Sequence, residues 1–111
     1  MDGQVIDREA LLTEFDGDEE LLAELVQTMK DEAPKLIHEV RAAASSGDAS
    51  LVARAAHTLK GAVSNFGARG AADAALQLER IGRSGDLTDL APAVAVLEAE
   101  MSAFERALAA L

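Results

Sequence analysis

Three residues, His57, Lys60 and Gly61, have types and spacing that could do chemistry. A neutral imidazole offers a nitrogen lone pair that can act as base, metal ligand or nucleophile. On a helix, a lysine three residues further on falls on the same side and puts a positive charge within reach of an anion held at the ring. A glycine four residues on costs about 0.5–1 kcal/mol of helix stability relative to alanine. In a chain that uses alanine freely, its presence beside the histidine points to a need for open space. Exposed lone pair, neighbouring cation and steric access together suit acceptance of a phosphoryl group, whose transfer needs positioning and charge neutralisation more than proton chemistry.

This reading depends on which way His57 points. At about 100° per residue, Val52, Ala55, Ala56, Leu59, Ala62, Val63 and Phe66 form one apolar stripe, and His57 falls opposite it with Ala53, Arg54, Lys60, Gly61 and Ser64. A core histidine is thereby excluded. A metal site on the helix requires a second ligand three or four residues away. Those positions hold Ala53, Arg54, Lys60 and Gly61, so no metal is expected. His38 is the internal control: also on the polar side of its helix, it is flanked by Pro34, Lys35, Arg41 and Ala42 with no glycine, and reads as a solvated surface residue.

The elements that must carry these groups are all helical. Turn signals predict five segments: Asp7 to Phe15, Glu19 to Ala44, Ala49 to Phe66, Arg69 to Arg83, and a fifth capped by Asp89. The second has Leu22, Val26, Met29, Ala33, Leu36, Ile37, Val40 and Ala44 on one face, with an unshifted phase through Pro34 that predicts a kink rather than a break. Asp48 is an expected N-cap and Gly67 an expected C-terminal cap. The fourth buries Ala71, Ala74, Ala75, Leu78 and Ile81; the fifth buries Leu90, Val94, Leu97, Met101, Phe104, Leu108 and Leu111, with Pro92 in its first turn. Four long amphipathic helices with short connections predict an all-α fold, an antiparallel four-helix bundle, with the short first helix across one end. Residues 1–111 read as a single domain.

Composition narrows the partners. The 111 residues carry a formal charge of −10, a field that repels nucleic acid and anionic membrane and favours a protein partner with a basic rim. There is no cysteine and no apolar run long enough to span a membrane. The polar, acidic start Met1-Asp2-Gly3-Gln4 is unlike a secretory leader, so a cytoplasmic location is expected.

The stretch Ala56-His57-Thr58-Leu59-Lys60-Gly61-Ala62-Val63-Ser64-Asn65-Phe66-Gly67-Ala68 resembles the signature of histidine-containing phosphotransfer (HPt) domains, the relay modules of two-component phosphorelays. Asp18-Glu19-Glu20-Leu21-Leu22, Glu32-Ala33-Pro34, Gly47-Asp48, and Leu78-Glu79 followed by Gly85-Asp86 extend the likeness over nearly the whole chain. The resemblance implies His57 as phospho-acceptor through Nε2, Lys60 neutralising phosphoryl charge, Gly61 leaving room for the partner, and Ser64 hydrogen-bonding near the site. It implies response-regulator receiver domains as partners, with a hybrid histidine kinase as another, and a cofactor requirement met from outside: none of its own, with Mg²⁺ on the receiver.

Two other readings remain open. The chain resembles the phospho-accepting domain of a chemotaxis-type or hybrid histidine kinase, although it ends at Leu111 and carries no nucleotide-binding motif. A non-catalytic acidic helical adaptor would leave Lys60 and Gly61 unexplained. An independent kinase activity is not expected, because no base, orienting acid or cofactor motif stands near the histidine in the sequence. Gln77 is a candidate to approach from the fourth helix, whose rotation the sequence does not fix. A monomer is expected, since one bundle buries every stripe.

Overall fold

The computed structural model describes residues 5–111, and the N-terminal Met1-Asp2-Gly3-Gln4 lies outside them. Five helices follow in order: α1 (Arg8–Glu14), α2 (Glu19–Ser46), α3 (Ala49–Ser64), α4 (Arg69–Ser84) and α5 (Leu90–Ala109). Three of them begin as their sequences dictate, with an aspartate side chain accepting from an otherwise unpaired backbone N–H. Asp7 caps Ala10 at 3.1 Å and Asp18 caps Leu21 at 3.0 Å. Asp48 caps both Ser50 at 3.0 Å and Leu51 at 3.3 Å. Asp89 occupies the N-cap of α5 without a side-chain hydrogen bond. After α3 the chain reverses through Gly67 at φ +67°, the left-handed conformation expected there, although the helix itself ends earlier, at Ser64.

Connections as short as Gly47-Asp48 force successive helices antiparallel. Contacts run α2 to α3, α3 to α4, α4 to α5 and α5 back to α2, with no diagonal pair among the described residues, which closes a four-helix ring. α1 packs against α2 and borders a crevice with Ser64, Asn65, Phe66 and Gly67, at one end of the bundle. α2 runs unbroken through the exposed Pro34 for 28 residues. At 1.5 Å per residue that is about 42 Å, close to the molecule's longest dimension of 44 Å.

The core contains the predicted stripes with local adjustments. Leu36, Ala44, Ala55, Ala62, Val94 and Leu111 are only partly buried, and Ala43 takes the fully buried place on α2 expected for Ala44. Phe66 and Phe104 meet edge to face, with ring centroids 5.7 Å apart. No described helix is long and apolar enough to cross a membrane.

The most extensive interface is between α3 and α4, and its closeness has a specific cause. A Cβ added to Gly82 would lie 2.6 Å from the backbone nitrogen of Ala53 and 2.7 Å from the carbonyl oxygen of Ala49. Only glycine lets the two backbones approach this far. Ala53 is one turn before His57, so this close approach sets how near α4 side chains come to it.

Candidate functional site

α3 buries Val52, Ala56, Leu59 and Val63 and turns His57 outward, leaving its side chain 61% exposed. The ring is not free on both edges. Its Nδ1 lies 2.9 Å from Oε2 of Glu79 on α4, a carboxylate only 3% exposed. Lys60 donates from Nζ to the other oxygen, Oε1, at 2.7 Å. Arg83, one turn beyond Glu79, places a guanidinium nitrogen 2.5 Å from Oε2. A buried carboxylate is tolerable only when paired and hydrogen-bonded, and this one has three partners.

These partners hold the Glu79 carboxyl below the ordinary glutamate range. The Lys60 hydrogen bond is the largest influence; burial opposes it, and the His57 hydrogen bond with the charges of Arg83 and Lys60 carries the balance downward. Glu79 is therefore ionised at neutral pH and can only accept. The His57 proton facing it is thus on Nδ1, and in the neutral imidazole the lone pair is then on Nε2.

Glu79 corrects the sequence-based expectation that no orienting acid stands near the histidine. It comes from 22 residues away, across the α3–α4 interface. A signal was present: Glu79 falls four residues after Ala75 and beside Leu78, inside the apolar stripe of α4, where a lone carboxylate calls for a partner. Gln77, the candidate considered for this helix, is exposed.

Lys60 is brought to His57, but its ammonium is engaged by Glu79, with the side chain 28% exposed. Gly61 is exposed, and a Cβ there would meet nothing within 4 Å, so the space beside the histidine is open. Ser64 is not brought to the ring. It is exposed at the end of α3, lining the crevice against α1, and seven residues of helix put it about 10 Å along the axis from His57. His38 is exposed on α2. Among the described residues no group of three or more His, Asp or Glu is placed to hold a metal ion.

Charge is unevenly distributed. α3 and α4 carry Arg54, Lys60, Arg69, Arg80 and Arg83 against only Asp73 and Glu79, in a chain whose formal charge is −10. The whole-chain sum, which suggested a basic partner, has the wrong sign for the helices that present the histidine.

Comparison with known proteins agrees with this architecture. No curated protein is similar enough to the chain to count as a match. The crystal structure of histidine-containing phosphotransfer protein B (HptB) from Pseudomonas aeruginosa PAO1 superposes with a TM-score of 0.85, covering 96% of this chain and 92% of that one at 24% identity. That likeness establishes the bundle fold. The family model of the Hpt domain matches residues 24–107, a span that runs from α2 into α5 and contains His57, Lys60, Gly61, Glu79 and Arg83. The chain belongs to the Hpt domain family, and is a histidine phosphotransfer module of phosphorelay signalling.

Proposed function

We propose that His57 takes a phosphoryl group on Nε2 from the aspartyl phosphate of a response-regulator receiver domain and returns it to the aspartate of the same or another receiver. The observation that carries this reading is the buried Glu79 carboxylate 2.9 Å from Nδ1, which in a neutral imidazole leaves the lone pair on the outer nitrogen of an exposed ring.

In the forward step the Nε2 lone pair attacks phosphorus and the P–O bond to the receiver's aspartate breaks, with the carboxylate leaving on that electron pair. The ring keeps its Nδ1 proton and becomes an imidazolium, while the phosphoryl oxygens keep their two negative charges, so the total charge is conserved. Glu79 stabilises the positive charge that develops on the ring, and no proton need move in the step. Gly61 admits the partner, and Lys60 supplies positive charge to the phosphoryl oxygens. We assign Mg²⁺ to the receiver, a monomer as the working state and the cytoplasm as the working compartment. The cation-rich α3 and α4 fit a partner whose face around its aspartate is acidic. A role for Ser64 would have to be indirect, through the crevice it shares with α1.

The test is transfer from a phosphorylated receiver to the wild type and to His57→Gln. Acid-labile, base-stable label on the wild type alone is expected; equal labelling of both proteins removes His57 from the reaction.

A further inference from the structure

The arrangement around Glu79 contains a conflict that phosphotransfer must resolve. With Nζ donating to Oε1 of Glu79 at 2.7 Å, Lys60 is held on the carboxylate, and a phosphoryl group on the far nitrogen of His57 competes for its charge. If Lys60 leaves, the carboxylate, 3% exposed, loses a counter-ion just as two further negative charges arrive nearby. Uncompensated buried charge is strongly unfavourable, so that move would be opposed unless another cation stayed behind.

Arg83 is placed to be that cation. It pairs with Oε2, the oxygen that also accepts from His57, and so does not compete with Lys60 for Oε1. The spacing from Glu79 to Arg83 is i to i+4 with the acid N-terminal, the favoured order on a helix. Lys60 sits three residues from His57 on the same helix, where its flexible stem can swing between the carboxylate and the outer edge of the ring.

Building on the phosphotransfer reading, we infer that Arg83 is a positioning residue, the standing counter-ion of Glu79 that releases Lys60 to the phosphoryl group. In the resting protein both cations hold the carboxylate. As the N–P bond forms, Lys60 exchanges Oε1 for a phosphoryl oxygen, while Arg83 remains on Oε2 and keeps Glu79 ionised against the imidazolium. Arg83 acts through Glu79 and Lys60.

The full chain can be tested without a receiver, using phosphoramidate as the phosphoryl donor, whose P–N bond breaks with ammonia leaving as the bond to Nε2 forms. Initial labelling rates are followed by ³¹P NMR for the wild type, Lys60→Gln, Arg83→Gln and the double variant, with helix content checked by circular dichroism. Each single variant is expected to label about tenfold more slowly, the scale of one lost charge-assisted contact. Because the double variant leaves the buried carboxylate with neither cation, it should label more slowly than either single variant. Arg83→Lys, which keeps the charge, should recover most of the rate. A double variant no slower than Lys60→Gln, or Arg83→Gln labelling at the wild-type rate, overturns the inference. Should Arg83→Gln fail to fold, the comparison moves to a Glu79→Gln background, where a neutral amide needs no counter-ion. There Arg83→Gln should slow labelling no further, and additional slowing overturns the inference. A wild type that takes no label at His57 brings down the phosphotransfer reading itself, a result distinct from a labelled wild type indifferent to Arg83.

Discussion

Glu79 and His57 are 22 residues apart in sequence and 2.9 Å apart in space, one almost wholly buried and the other mostly exposed. The buried partner sets the chemistry of the exposed one. An ionised carboxylate at Nδ1 orients the ring and, on the proposed mechanism, would offset the charge the ring acquires on phosphorylation at Nε2.

Glu79→Gln is therefore expected to slow phosphotransfer at least about tenfold, since the charge-assisted bond is lost and an amide can also hold the wrong tautomer. The fold should barely notice. Lys60 and Arg83 are 28% and 68% exposed and can turn to water when the carboxylate is removed, so the stability change should be about 1 kcal/mol or less. Transfer kinetics beside a urea titration checks both parts, and an unchanged rate would remove Glu79 from the mechanism.

The same carboxylate gives a pH signature. Its folded-state pKa lies below the ordinary glutamate value, so the stability it contributes is fully present above that ordinary value, about 4.3. It is lost as pH falls through the lower, folded-state pKa. Urea midpoints of wild type and Glu79→Gln, measured from pH 7 to pH 3, should differ by a gap that shifts against the wild type toward the acid end. A constant gap would contradict the ionised, paired state of Glu79.

The two helical glycines of the site should respond in opposite ways. Gly61→Ala adds a methyl where nothing lies within 4 Å, so it should stabilise the helix by about 0.5–1 kcal/mol while slowing transfer from a receiver that must approach this face. Gly82→Ala drives a Cβ into the Ala53 backbone, so it should destabilise by about 1–3 kcal/mol and slow transfer by carrying Glu79 away from His57. Thermal unfolding and transfer rates on both variants decide this. A destabilised Gly61→Ala or an unperturbed Gly82→Ala would contradict the packing described.

These two glycines also mark how far the sequence could be read. Within α3 the stripe from Val52 to Val63 was sufficient to turn His57 outward, because a helix's faces follow from its own periodicity. Gly61 was legible for the same reason. Gly82 and Glu79 acquire their meaning only across the α3–α4 interface, from the rotation of one helix against another, which no single helix's pattern contains. The drift from Ala44 to Ala43 on α2 is a smaller instance. Near a helix end, burial follows the neighbouring helix rather than an ideal wheel.

The charge asymmetry predicts a salt effect of definite sign. If the cations of α3 and α4 meet an acidic receiver face, kcat/KM for transfer should fall as NaCl rises from about 0.05 to 0.5 M, over which the Debye length shrinks from above 10 Å to a few ångströms. Repulsion between two acidic proteins acting through net charge would make it rise. A rising profile would show that the whole-chain charge, not the site face, governs encounter.

The central claim is that Nε2 of His57 carries the phosphoryl group while Nδ1 keeps its proton against Glu79. Long-range ¹H–¹⁵N correlation spectra of ¹⁵N-labelled protein, recorded before and after phosphorylation by a phosphorylated receiver, test it atom by atom. The account predicts a protonated Nδ1 in both states and a phosphorus-coupled Nε2 in the second. Phosphorus on Nδ1, on His38 or on neither histidine would contradict it.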